Sequence, residues 1–128
     1  MPRSSLFAPG APAAIGPYAH AAEPSGNRSL FLSGQTPIDP RTGRLVDGDL
    51  GAQTQQVFAN LDAVLSSAGG SLADVVKLTV YLTTMDDFAE MNDMYESLLE
   101  APYPARTTVA VAGLPLGARI EIEAVASL

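Results

Sequence analysis

The alternation near the end of the chain constrains the fold most. In Ile120-Glu121-Ile122-Glu123-Ala124-Val125-Ala126, Ile120, Ile122, Ala124 and Ala126 fall on one side of an extended backbone, and Arg119, Glu121 and Glu123 on the other. Pro104-Ala105-Arg106-Thr107-Thr108-Val109 has the same period, with Arg106 and Thr108 facing one way and Thr107 and Val109 the other. Both stretches read as strands. The link through Leu114-Pro115-Leu116-Gly117 is short, which predicts that they are antiparallel neighbours. Paired so, they would bring an arginine and a carboxylate to the same side of one sheet. The competing reading of that pair is a strand-end salt bridge on a solvated face.

The rest of the chain supplies the other layers. Residues 1–17 are rich in proline and glycine and read as extended. Residues 18–22 and 29–33 read as short strands joined into a hairpin by the turn Ser25-Gly26-Asn27. Residues 34–48 read as a loop or ragged hairpin, with Asp39-Pro40-Arg41-Thr42-Gly43 as its clearest turn. A helix begins near Asp49 or Leu50 and ends at Gly69-Gly70. Its apolar stripe is Val57, Phe58, Leu61, Val64, Leu65 and Ala68, with Gln53, Gln56, Asn60 and Ser67 away from it.

Residues 74–82 make the strongest strand: Val76, Leu78, Val80 and Leu82 form an apolar face, and Val75, Lys77, Thr79 and Tyr81 a mixed one. Asp87 and Glu90 have the spacing of a capping box before a second helix. Phe88, Met91, Tyr95, Leu98 and Leu99 form its buried stripe, and Pro102 and Pro104 stop it. The order β-β-α-β-α-β-β predicts a single α+β domain over residues 1–128, a mixed sheet with both helices on one face. The other face, carrying Thr79, Tyr81, Thr108 and Glu121 or their neighbours, is too mixed for a core and too apolar for open water. That predicts association of several copies, with polar pockets at the seams.

Composition narrows the function. Seven Lys or Arg against fourteen Asp or Glu leave a net charge of -7, so a phosphate backbone is repelled and nucleic acid is a poor partner. A locally positive pocket would still attract a small anion. With no cysteine and only His20 as histidine, there is no disulfide framework, no thiolate nucleophile and no ordinary zinc ligand set. The start of the chain does not read as a secretory leader and no apolar run reaches membrane-spanning length, so the expectation is a cytoplasmic protein without a membrane partner.

Several stretches together resemble one family. They are Ala11-Pro12-Ala13-Ala14-Ile15-Gly16-Pro17-Tyr18, Ser33-Gly34-Gln35, residues 60–69, and Val76-Lys77-Leu78-Thr79-Val80-Tyr81. Asp87-Phe88, Asn92-Asp93-Met94-Tyr95, Pro104-Ala105-Arg106 and Ile120-Glu121-Ile122-Glu123-Ala124 continue the series. In this order and spacing the chain resembles the RidA/YjgF reactive-intermediate deaminases over nearly its whole length. The resemblance implies a chorismate-mutase-like fold, with three subunits packing their sheets into a central barrel and active sites between neighbours. It also implies hydrolysis of enamines and imines such as 2-aminoacrylate and 2-iminopropanoate to 2-oxo acids and ammonia. That reaction uses no metal or organic cofactor, since a protonated imine is already electrophilic.

The resemblance also carries residues. Arg106, in its Pro-Ala-Arg context, matches the family's catalytic arginine: a planar, permanently charged fork that can grip a carboxylate by two parallel hydrogen bonds and cannot act as the base. Its competing role is a surface or interface ion pair. Glu121 matches the active-site glutamate that holds or activates water; Glu123, two residues on, is read as structural. Tyr18 matches a pocket tyrosine, Ser33 a pocket serine and Asn92 a pocket asparagine. Each also has an ordinary structural reading: seam tyrosine, turn serine, helix-to-loop amide. Thr108 stands at a substrate-side position where some relatives have cysteine. His20 replaces a glutamine common among relatives, and is either a proton carrier or a rim residue. The 100–104 connection is shorter than in relatives. Competing functions are a non-catalytic small-carboxylate binder or chaperone-like protein and, against the charge, a ribonuclease or translation inhibitor. A purely structural oligomer would leave the combined signatures unexplained.

Overall fold

The computed structural model describes residues 3–24 and 26–128. In chain order the elements are β1 (Ser4–Leu6), β2 (Ala21–Glu23), β3 (Ser29–Gln35), β4 (Ile38–Asp39), β5 (Arg44–Leu45), α1 (Leu50–Ser67), β6 (Val75–Leu82), α2 (Phe88–Leu98), β7 (Ala105–Ala110) and β8 (Ile120–Ser127). The architecture is α+β: a mixed four-stranded sheet in the order β3-β8-β6-β7 with two helices against it. Among the described residues no helix is long and apolar enough to cross a membrane.

The pairing of β7 differs from the sequence expectation. It runs parallel to β6, while β8 is antiparallel to both β6 and β3. Thus β6 separates the two strands expected to be neighbours. The cause is α2: a helix between two strands returns the chain to its starting end, so β7 takes the free edge of β6 in the same direction. β8 then fills the central place, where its apolar alternation is buried on the helix side. Ile120, Ile122, Ala124 and Ala126 all lie in the core.

The expected hairpin across Ser25-Gly26-Asn27 is also replaced; Ser25 itself lies outside the described residues. β2 pairs with β1, a strand within the stretch expected to be merely extended, and β3 pairs with β8. Arg28 and Leu128 exchange backbone hydrogen bonds of 3.0 and 2.9 Å at the start of that pairing. The long apolar β8 offers β3 more to bury than a three-residue strand can.

Helix α1 begins and ends where its punctuation predicts. Asp49 accepts from the Ala52 N–H at 3.0 Å. Gly69, at φ 83°, lets the Gly70 N–H return to the Leu65 carbonyl at 2.9 Å. Val64 turns out 39% exposed, off the buried stripe, and Gln53 is buried instead. The polar side of the helix holds neighbouring segments: Gln53 Oε1 accepts from the Arg119 N–H, and Asn60 Nδ2 donates to the Thr36 and Ile38 carbonyls. The expected capping box before α2 does not form, for Asp87 makes no cap bond there and instead accepts from Arg119 Nη2 at 2.9 Å. Thr84 caps the preceding turn. A bulge between Val75 and Lys77 breaks the alternation of β6, burying Val75 and leaving Val76 half-buried.

Candidate active site

Directly opposite residues of paired strands share a face. Arg106 is opposite Leu78 and Thr108 opposite Val80, so both point to the helix-covered side. Glu121 is opposite Tyr81, and Glu123 opposite Thr79, on the open side. The expected single face carrying Arg106 with a carboxylate is therefore absent within one protomer. The predicted residues separate into two groups.

The first group surrounds Arg106. β7 is an edge strand, so this side chain emerges past the core beside α2. Phe88, Asn92 and Tyr95 stand at helical spacing on one stripe of α2, and all three meet the guanidinium. Asn92 Oδ1 accepts from Nη1 at 2.7 Å. The guanidinium carbon lies 4.9 Å from the centre of the Tyr95 ring, 5.1 Å from Tyr18 and 5.7 Å from Phe88. Such ring contacts contribute roughly 0.5–2 kcal/mol each, more as water is excluded. Burial pushes the Arg106 pKa below its ordinary value, with the neighbouring Tyr95 and Tyr18 acting in the opposite direction. Among the described residues no carboxylate pairs with it. A half-buried cation with one neutral hydrogen-bond acceptor is electrostatically prepared for an anion.

The loop before β2 closes over this group. Tyr18 N–H donates to the Gly16 carbonyl at 2.8 Å, and the Tyr18 hydroxyl accepts from the Ile15 N–H at 3.2 Å. The loop is tied to β7 by the Ala19 N–H, which donates to the Pro104 carbonyl at 3.1 Å. The resulting cleft has a volume of about 530 Å³ and is lined by Ile15, Tyr18, His20, Lys77, Arg106 and Thr107 among others, with no Asp or Glu. Lys77 donates to Thr107 Oγ1 at 2.7 Å, and burial lowers its pKa. Thr108 has its hydroxyl buried without a partner.

His20 belongs to the cleft wall. Because the Ala8 N–H can only donate, Nδ1 accepts it at 2.9 Å, and the neutral ring donates from Nε2 to the Pro12 carbonyl at 2.7 Å. Both ring nitrogens are engaged in holding residues 8–12. The geometry matches the rim reading rather than a free proton carrier.

The second group lies on the open side. A register shift between Leu32 and Gln35 crowds Ser33 and Gly34 against β8. A side chain at Gly34 would put its Cβ 2.1 Å from Glu121 Oε2, so glycine is what admits this carboxylate. Glu123 is engaged by the Tyr81 hydroxyl, which donates to it. Among the described residues Glu121 has no such partner, which distinguishes two carboxylates that share one face of the alternation. Ser33, the residue before Gly34, is exposed.

Sequence reasoning left Phe88 and Tyr95 in the core and gave Gly16 and Lys77 no role. The signal for the first two was the spacing of Phe88 and Tyr95 around Asn92. For the glycine, the signal was its place in the Ala11-Pro12-Ala13-Ala14-Ile15-Gly16-Pro17-Tyr18 stretch that carries the family resemblance.

The comparisons with known proteins agree over the full length of this framework. Residues 9–128 match the family described as endoribonuclease L-PSP. A solved structure of RidA from the Antarctic bacterium Psychrobacter sp. PAMC 21119 superposes with a TM-score of 0.76 at 42% identity, covering 98% of this chain and 99% of that one. The chain belongs to the RidA/YjgF family. A RutC family protein of Pyrococcus horikoshii is 50% identical over 121 residues, 94% of each chain. A RidA/YjgF relative from Dermatophagoides farinae, named 2-iminobutanoate/2-iminopropanoate deaminase, is 40% identical over 124 residues, 97% of this chain and 95% of that one.

Proposed function

We propose that this chain hydrolyses small 2-imino acids, with their enamine tautomers, to 2-oxo acids and ammonia. The observation that carries the reading is Arg106, half-buried among three rings and, among the described residues, hydrogen-bonded only to a neutral amide and opening on a cleft lined by no carboxylate. A carboxylate taken there by the guanidinium fork would hold the adjacent C=N carbon in a fixed orientation to water. Relatives about 40% identical that are named 2-iminobutanoate/2-iminopropanoate deaminase support the same chemistry.

The steps balance without a further reactant. Water adds to the carbon of the protonated imine, forming a C–O bond as the C=N π electrons move to nitrogen, and gives up one proton through Glu121 to solvent as the carbinolamine hydroxyl forms. Proton transfer from the new hydroxyl to nitrogen, assisted by Glu121, lets the C–N bond break. Ammonia leaves, and the carbinolamine becomes the 2-oxo acid. Since Glu121 is on the opposite face of its own sheet, the reading takes Glu121 and Ser33 from a neighbouring copy. The open face supports such association, with Phe31 78% exposed. A homotrimer with the sheets in a central barrel is the assembly that accommodates it.

The test is a coupled assay in which an amino-acid oxidase generates 2-iminopropanoate. Arg106→Ala should lower kcat/KM about a hundredfold or more, from loss of a charge-assisted pair of hydrogen bonds, with mass and helicity unchanged. Unchanged turnover would overturn the assignment. The net charge of -7 opposes an RNA substrate despite the family description.

A further inference from the structure

Gly16 has no conformational reason to be glycine. Its φ is not among the positive values found at Gly43, Gly48, Gly69 and Gly117. It precedes Pro17, a place where extended backbone is favoured for any residue. What lies beneath it explains it. A Cβ at Gly16 would stand 3.1 Å from Arg106 Nη2, 3.3 Å from Asn92 Nδ2 and 3.4 Å from Asn92 Oδ1. Those are the two side chains joined by the Nη1 to Oδ1 hydrogen bond. The first two contacts are tighter than ordinary van der Waals packing and demand a shift of a few tenths of an ångström.

Asn92 engages Nη1, and the side-on edge of Arg106 formed by Nε and Nη2 makes no hydrogen bond among the described residues. We propose that Gly16 is a positioning residue whose bare Cα sets the guanidinium plane and leaves the Nε–Nη2 edge in line for a planar carboxylate. It acts through Arg106 and takes no part in the chemistry. The inference rests on Arg106 being the carboxylate grip, and it adds that the grip is side-on and is set by the backbone above it. A methyl group at this position rotates Nη2 away from coplanarity with the incoming carboxylate. Binding suffers before the hydrolytic step does.

The experiment uses the full-length protein with pyruvate as probe, in titration calorimetry, alongside imine kinetics. Gly16→Ala should weaken pyruvate binding and raise KM about tenfold, with kcat changed little. Gly113→Ala, whose Cβ would meet nothing within 4 Å, should match wild type in both. The Arg106 Nε–H resonance, displaced by three surrounding rings, should move in Gly16→Ala and stay in Gly113→Ala. Wild type failing to bind pyruvate would defeat the carboxylate reading itself. Wild type and Gly16→Ala binding equally would defeat this inference alone. Should Gly16→Ala not fold, Asn92→Ser relieves its crowding against Asn92. The double variant must then bind pyruvate more weakly than Asn92→Ser, and equal binding overturns the proposal.

Discussion

Arg106 and Glu121 lie on opposite faces of one sheet and two strands apart, Arg106 opposite Leu78 on β6 and Glu121 opposite Tyr81 on the same strand. Two strand spacings alone amount to about 10 Å, before the side chains diverge. A three-carbon acid cannot bridge that within a protomer. The separation turns the proposed chemistry into a statement about assembly.

Complementation follows from it. Arg106→Ala and Glu121→Gln should each be inactive alone, yet a mixture refolded together at equal amounts should recover about one quarter of wild-type turnover, since a junction needs the intact half of each partner. Mixing without subunit exchange is the control. No recovery in exchanged mixtures would show that the two residues do not share a site.

Gly34→Ala should separate activity from stability. Its Cβ would overlap Glu121 Oε2, the far end of a flexible side chain, so the carboxylate can swing aside at small folding cost. Turnover should fall tenfold or more, equivalent to about 1.4 kcal/mol of barrier, while the melting midpoint moves little. A loss of fold with no specific kinetic change would point to packing alone.

Tyr95 carries a buried hydroxyl with no partner beside the guanidinium. Tyr95→Phe keeps the ring and removes the unsatisfied group, so thermal stability should hold or rise, by up to about 1–3 kcal/mol. Tyr95→Leu removes the ring as well, and should raise KM. Urea melts with matched kinetics distinguish the two.

The same hydroxyl makes a pH prediction. Burial, first among the causes, raises the Tyr95 pKa well above its ordinary value. A group raised in the folded state contributes stability fully below its unfolded pKa, about 10 for tyrosine, and loses it as pH climbs toward the folded value. Wild type should therefore lose stability above about pH 10 more steeply than Tyr95→Phe. Tyr81, raised chiefly by its hydrogen bond to Glu123, has the same sign and remains in both proteins. Denaturant midpoints across the alkaline range test the difference.

The sequence alone determined what depends on near neighbours along the chain. Asp49 and Gly69-Gly70 delimit α1 because capping and left-handed glycine act within one turn. The alternation of residues 120–126 survives as β8 because burial of one face follows the pleat. Arg106 and Asn92 were legible through their motif contexts, and they meet at 2.7 Å. Tertiary structure decided which strand each edge found. β7 joined β6 rather than β8 because α2 reversed its direction, and β3 chose β8 over β2 because it buries more there. Both choices are competitions between distant segments, which leave no period in the local sequence. They set the face on which Arg106 stands, the side from which Glu121 would approach, and the glycine that closes over the guanidinium.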